Sequence, residues 1–116
     1  RLYGVDVSET AVKRARAAVP DASFESGDIF GQPWGRSPGR FDLVVACEVL
    51  YYIADVKRTV DEMNLLGRSC LITIFAPAIP RVSPCIESIP GVRKDWFGLA
   101  GAQWVVAHWV SPSSQP

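Results

Sequence analysis

The sequence predicts an α/β fold, a largely parallel sheet with crossover helices and an antiparallel hairpin at its carboxyl end. Three observations carry this. Short apolar runs alternate with segments of helical periodicity over residues 1–76. The apolar runs are continuous rather than alternating, as in parallel strands buried on both faces. Residues 92–110 then read as two strands about a tight turn. The order strand, helix, strand, loop, strand, helix, strand, hairpin belongs to an open sheet.

Residues 2–7 (LYGVDV) form the first apolar run. Ser8 can cap the helix that follows, where Ala11, Val12, Ala15, Ala18 and Val19 share one face while Lys13, Arg14 and Arg16 take the other. Pro20-Asp21 ends it. Residues 22–25 are a second strand, with Ser26-Gly27-Asp28 at its carboxyl end. The Gly, Pro and Ser content of residues 31–40 marks a loop. Residues 41–47 (FDLVVAC) are the clearest strand, residues 55–66 a helix with Gly67 suited to its C-terminal turn, and residues 70–75 another buried strand. Pro77, Pro80, Pro84 and Pro90 are expected to forbid a regular helix, leaving an irregular connection. Residues 92–99 and 103–110 make the hairpin about Ala100-Gly101-Ala102. Residues 1–110 are expected to form one domain and residues 111–116 (SPSSQP) a disordered tail.

With 116 residues the chain holds one core, and twelve basic against twelve acidic side chains create no global field toward nucleic acid or an anionic membrane. Its apolar runs are far shorter than the roughly 20 residues of a spanning helix. Cys47, Cys70 and Cys85 are odd in number and lack metal-ligand spacing. Cys47 and Cys70 sit in apolar runs, as buried free thiols do, so a reducing, cytoplasmic setting and no bound metal are expected. A small-molecule partner is expected rather than nucleic acid or membrane.

Three acids stand at or just beyond strand ends, where doubly wound sheets bind ligands: Asp6, Asp28 and Glu48. Each has a bland reading alone. Asp6 can serve the helix start before Ser8-Glu9-Thr10, Asp28 a turn after Gly27, and Glu48 a solvated strand end. In order and spacing, however, VDVSETAVKRAR, FESGDIF and FDLVVACEVLYYI resemble three consecutive motifs of class I S-adenosylmethionine-dependent methyltransferases. The resemblance implies that Asp6 grips the cofactor ribose and that Asp28 lies by the adenine amino group. It makes Val7 and Ile29 the walls of the adenine slot and gives Cys47 a backbone contact with the methionine moiety. The implied fold is a Rossmann-like sheet of strand order 3-2-1-4-5-7-6, with the first strand and its glycine-rich loop expected upstream of Arg1. The tract ACEVLYYI further resembles nodulation protein S and its relatives, which N-methylate a glucosamine-type amine.

Methyl transfer from a sulfonium needs alignment and exclusion of water rather than a covalent nucleophile. An amine acceptor must lose a proton, and Glu48 is the candidate to accept it or to hold the ammonium. Tyr51 and Tyr52, at a helix start beside it, can flank a cation with their rings. His108 among Trp104, Trp109 and valines reads as structural, and Trp96, Phe97, Trp104 and Trp109 as packing. Two departures concern the substrate wall. Leu66-Gly67-Arg68-Ser69 replaces the usual Pro-Gly-Gly turn, and the next helix gives way to the prolines. The residues present, without the glycine-rich loop, are expected to be inactive by themselves. A nicotinamide dehydrogenase would also end its second strand in an acid, but the short-chain type needs Tyr-x-x-x-Lys, and Asp55 and Val56 stand four residues after Tyr51 and Tyr52. A degenerate, non-catalytic fold kept for pairing with a partner is the other alternative.

Overall fold

A computed structural model describes residues 1–35 and 37–112. Within them the chain divides into two compact units, Arg1–Gly35 and Arg36–Pro116.

The first unit is one parallel β-α-β turn of chain: β1 (Tyr3–Asp6), α1 (Glu9–Ala18) and β2 (Ser23–Ser26). The strands pair in register from Tyr3 opposite Ser23 to Asp6 opposite Ser26. Ser8 caps α1 as expected, its hydroxyl accepting the Ala11 N–H at 3.2 Å. Val12 is the residue α1 buries against the strands. Arg16, on the same helix, donates through Nη2 to the Phe24 carbonyl at 2.6 Å and ties the helix to β2. Gly4 is required by close approach: a Cβ there would stand 2.6 Å from the Phe24 ring.

The second unit contains β3 (Phe41–Cys47), a 3-10 turn (Leu50–Tyr52), α2 (Val56–Leu66), β4 (Gly67–Phe75), α3 (Ile79–Glu87), β5 (Arg93–Leu99) and β6 (Ala102–Val110). Its sheet has the order β3-β4-β6-β5, with β3 parallel to β4 and the other pairs antiparallel. The hairpin read from the sequence is therefore present. Removing the first strand from the order 3-2-1-4-5-7-6 leaves two sheets of the kind observed, β2-β1 and β3-β4-β6-β5. Leu50, Met63, Leu66, Ile72, Ile74 and Val82 are fully buried and make the core. Asp55 caps α2 by accepting the Arg58 N–H at 3.0 Å.

Four expectations are corrected. The prolines do not exclude a helix after residue 76: α3 runs from Ile79 to Glu87. Pro80 sits in its first turn, where no N–H is needed, and Pro84 removes only the bond to the carbonyl of residue 80. Burial of Val82 and Ile86 offsets that loss. Gly67 ends α2 without a left-handed turn (φ −107°) and opens β4 directly. Glycine is needed there for space, because a Cβ would lie 2.7 Å from Val44 Cγ2 and 2.9 Å from the Ser69 carbonyl oxygen. Ser111, assigned to a disordered tail, is buried, and its N–H donates to the Arg68 carbonyl at 3.0 Å; residues 113–116 of that tail lie outside the described residues. Cys47, expected to be buried, is exposed at the carboxyl end of a strand that pairs on one side only among the described residues. Cys70 is buried as expected.

Replacing Gly67 by alanine should lower stability by about 1–3 kcal/mol, the usual cost of forcing a methyl into a filled site. Thermal unfolding of G67A reads it directly; an unchanged midpoint would show that Val44 and the strand start yield freely.

Candidate active site

In the first unit the two strand-end acids share one edge. Because β1 and β2 are parallel and Asp6 pairs with Ser26, Asp6-Val7 and Asp28-Ile29 both emerge at the carboxyl end of the sheet. The ladder continues one step further, the Gly27 N–H donating to the Asp6 carbonyl at 2.9 Å. Gly27 then takes φ +127°, a conformation glycine adopts readily, and turns the chain into Asp28.

Both carboxylates are oriented in the same way. Asp6 Oδ1 accepts the Ser8 N–H at 2.8 Å, and Asp28 Oδ1 accepts the Phe30 N–H at 2.8 Å. Each thus binds the backbone two residues on, which fixes the side-chain torsion, while Oδ2 has no partner among the described residues. The helix-capping reading of Asp6 is only partly right, since Ser8 is the cap and Asp6 steadies the turn ahead of it. An ionised carboxylate offers about four lone-pair positions, so Asp6 retains capacity for two hydroxyl donors. Val7 is 79% exposed, an apolar side chain left open beside those acids. An uncovered apolar wall next to oriented acceptors fits a nucleoside.

In the second unit Glu48 extends β3 by one step, its N–H donating to the Thr73 carbonyl at 3.1 Å. It does so at φ +57°, a left-handed backbone uncommon for any residue but glycine. Its side chain is held at both oxygens: Trp104 Nε1 donates to Oε1 at 2.7 Å and the Thr73 hydroxyl to Oε2 at 3.1 Å. Trp104 is itself fixed between Phe97, stacked at 5.2 Å, and Phe75 at 5.6 Å. Tyr51 and Tyr52 lie on the 3-10 turn with ring centroids 4.6 Å apart. Burial, then the facing Glu48 carboxylate and Tyr52, raise the Tyr51 phenol above its ordinary range.

The structure thus groups Glu48, Tyr51 and Tyr52 with Cys47 in one unit, and Asp6, Val7, Asp28 and Ile29 in the other. Thr73 and Trp104 were missed. The parallel register pairs Cys47 with Thr73, so a hydroxyl next to the strand-end acid was the available signal for Thr73. Nothing in the local sequence separates Trp104, which donates to Glu48, from Trp109, whose indole donates to Asn64 Oδ1 at 2.7 Å in packing. His108 lies 3.2 Å from Asp95 across the hairpin. Cys70 is a packing thiol that burial pushes up to about 12.

The arrangement of strands has counterparts. The profile of the methyltransferase domain family matches residues 1–68. This chain belongs to that family. Comparison with curated proteins gave no match. Among solved structures, the methyltransferase domain is similar to the N-methyltransferase NodS from Bradyrhizobium japonicum WM9, which was crystallised with S-adenosyl-L-homocysteine. The TM-score is 0.70 at 21% identity, over 97% of this chain and 67% of that one. A TehB-like SAM-dependent methyltransferase from Corynebacterium glutamicum ATCC 13032 Kitasato gives a TM-score of 0.59 at 18% identity, over 94% of this chain and 67% of that one. The putative methyltransferase of Haloferax volcanii, solved in complex with the Trm112 activator, gives 0.64 at 17% identity, over 97% and 72%. These likenesses establish the fold, the Rossmann-like class I methyltransferase sheet, and the donor that family and fold imply is S-adenosylmethionine. No helix among the described residues is long and apolar enough to cross a membrane.

Proposed function

We propose that the protein transfers a methyl group from S-adenosylmethionine to the amine of a small molecule, of the amino-sugar type or a related amine, in the cytoplasm and without a nucleic-acid partner. The observation that carries the acceptor class is Glu48: a carboxylate on a left-handed backbone, locked by an indole N–H and a hydroxyl, and faced by Tyr51, whose ring packs on Tyr52. Strained backbone persists where surrounding contacts over-determine it, and such sites cluster where function requires a fixed group. The ACEVLYYI tract adds the likeness to amine N-methyltransferases.

When bound, the cofactor supplies an activated methyl carbon. Asp6 grips the ribose hydroxyls, Asp28 stands by the adenine amino group, Val7 and Ile29 wall the ring, and the Cys47 backbone meets the methionine end. Glu48 attracts the acceptor as an ammonium and takes its proton, which frees the nitrogen lone pair for in-line attack. Trp104 and Thr73 keep the carboxylate from swinging away. Tyr51 and Tyr52 add cation–π attraction, about 0.5–2 kcal/mol.

Glu48→Gln keeps the shape and both hydrogen-bonding neighbours but removes the charge. Loss of general-base help costs about 10²–10⁴-fold, so methyl transfer to an amine such as glucosamine should fall by about that factor. It is to be measured by transfer of labelled methyl, in the chain extended by whatever its gene encodes upstream of Arg1. Unchanged turnover in E48Q would reject the amine reading.

A further inference from the structure

Beside the Glu48 cluster, the second unit has an open pocket of about 560 Å³ whose walls include Leu50, Tyr51, Tyr52, Ile53, Val82 and Arg81. Its size falls in the range of sites for small organic ligands. The floor is apolar, since Leu50 and Val82 are 1% exposed. Tyr52, 80% exposed, raises a ring at its rim.

Arg81, on the first turn of α3, gives the pocket its charge. No carboxylate lines the pocket, and Arg81 makes no ion pair among the described residues. Its Nη1 donates to the Tyr51 carbonyl at 3.4 Å, a long contact that steers the side chain toward the 3-10 turn. A guanidinium has five N–H donors in a planar fork, so the greater part of that fork remains for a ligand. Here the guanidinium is steered toward an aromatic and aliphatic hollow that has no carboxylate in its lining. Such a hollow fits an apolar or sugar-like body carrying a carboxylate or phosphate, which the fork can bind through two parallel hydrogen bonds. Tyr51 joins the two sites, because its ring lines this pocket and also faces Glu48.

We propose that Arg81 and the tyrosine-walled pocket bind an anionic substituent, carboxylate or phosphate, of the methyl acceptor. The word acceptor rests on the amine reading above; the anion site does not. The acceptor is then bifunctional, its cationic amine held at Glu48 and its anionic end at Arg81, and discrimination against neutral amines arises from the second contact.

Calorimetric titrations that require no methyl transfer test this. In the chain extended by whatever its gene encodes upstream of Arg1, phenyl phosphate and phenylacetate should bind, and each should bind at least tenfold more weakly to R81Q. R81K should recover part of the loss, more for phosphate than for carboxylate, because lysine keeps the charge but not the fork. Benzyl alcohol should bind both proteins alike, and inorganic phosphate at least tenfold more weakly than phenyl phosphate, since it lacks the body the apolar floor receives. Unfolding curves of R81Q and R81K should overlay that of the unsubstituted chain, as expected for an exposed side chain. Equal affinity of R81Q and the unsubstituted chain for both anions, or equal affinity for anionic and neutral probes, overturns the anion site. In the same titrations E48Q should not weaken phenylacetate binding, since it only removes a neighbouring negative charge, so a failure of the amine reading in the transfer assay and a failure of the anion site are read separately.

Discussion

Replacing Asp6 by alanine should weaken S-adenosylmethionine binding by about 2–3 kcal/mol, the scale of losing two hydrogen bonds to a charged acceptor. That corresponds to about 30- to 150-fold in dissociation constant. The size of the effect follows from the geometry at the end of β1. Oδ1 is already anchored on the Ser8 N–H at 2.8 Å, so the carboxylate presents its remaining lone pairs without a large ordering cost on binding. Asp6→Asn should fall between the two, since it keeps the anchor and one acceptor but loses the charge. Ser8→Ala separates binding from folding: it removes the α1 cap and about 1 kcal/mol of stability while leaving the carboxylate in place. Calorimetry on the chain extended by its upstream coding sequence gives the answer, and an unchanged dissociation constant for Asp6→Ala would remove Asp6 as the ribose acid.

The 116 residues by themselves should unfold at low temperature, without an upward shift from micromolar S-adenosylmethionine. β1 pairs with β2 alone and β3 with β4 alone among the described residues, so each presents one row of backbone N–H and C=O groups with no strand beside it. On β3 these lie beside Leu43 and Val45, 52% and 48% exposed, which makes an apolar edge open to pairing with another chain. In the family's strand order a single strand fills both places. A chain extended at its start by an apolar strand and a Gly-x-Gly turn should regain a cooperative transition that ligand raises. A cooperative transition of residues 1–116 that micromolar cofactor shifts upward would refute this.

Periodicity served where neighbours in sequence are neighbours in space. Residues 41–47 were read as a strand to the residue, α2 within one residue of its observed start, and the hairpin within one residue at each end of its turn. It failed at α3, where composition pointed to irregular chain. The rule against proline concerns helix interiors, and a nine-residue helix with Pro80 in its first turn has little interior to disrupt. Gly67 misled for a related reason: a glycine after a helix usually signals a left-handed turn, whereas here it makes room for Val44. For the candidate site, the rule that parallel sheets bind ligands at strand ends selects Asp6, Asp28 and Glu48, and the structure does place them at or just past the ends of β1, β2 and β3. The partners of Glu48 could not be read. Trp104 is 56 positions away, and which tryptophan reaches the carboxylate depends on the β4–β6 register, which pairs Phe75 with Trp104. Arg81 was hidden with the helix that carries it.

The four tryptophans are divided unequally between the units, and this gives each unit its own optical signal. Trp34, edge-on to Tyr3 at 6.0 Å, is the sole indole of the first unit, while Trp96, Trp104 and Trp109 all belong to the second. Their surroundings differ as widely as indole surroundings can. Trp109 is 3% exposed, Trp96 is 61% exposed, and Trp104 gives its N–H to a carboxylate. Emission from Trp109 should therefore lie to the blue and that from Trp96 to the red. A Trp34→Phe protein emits from the second unit alone, so the difference between its melting trace and that of the unsubstituted chain isolates the first unit, with no added dye or label.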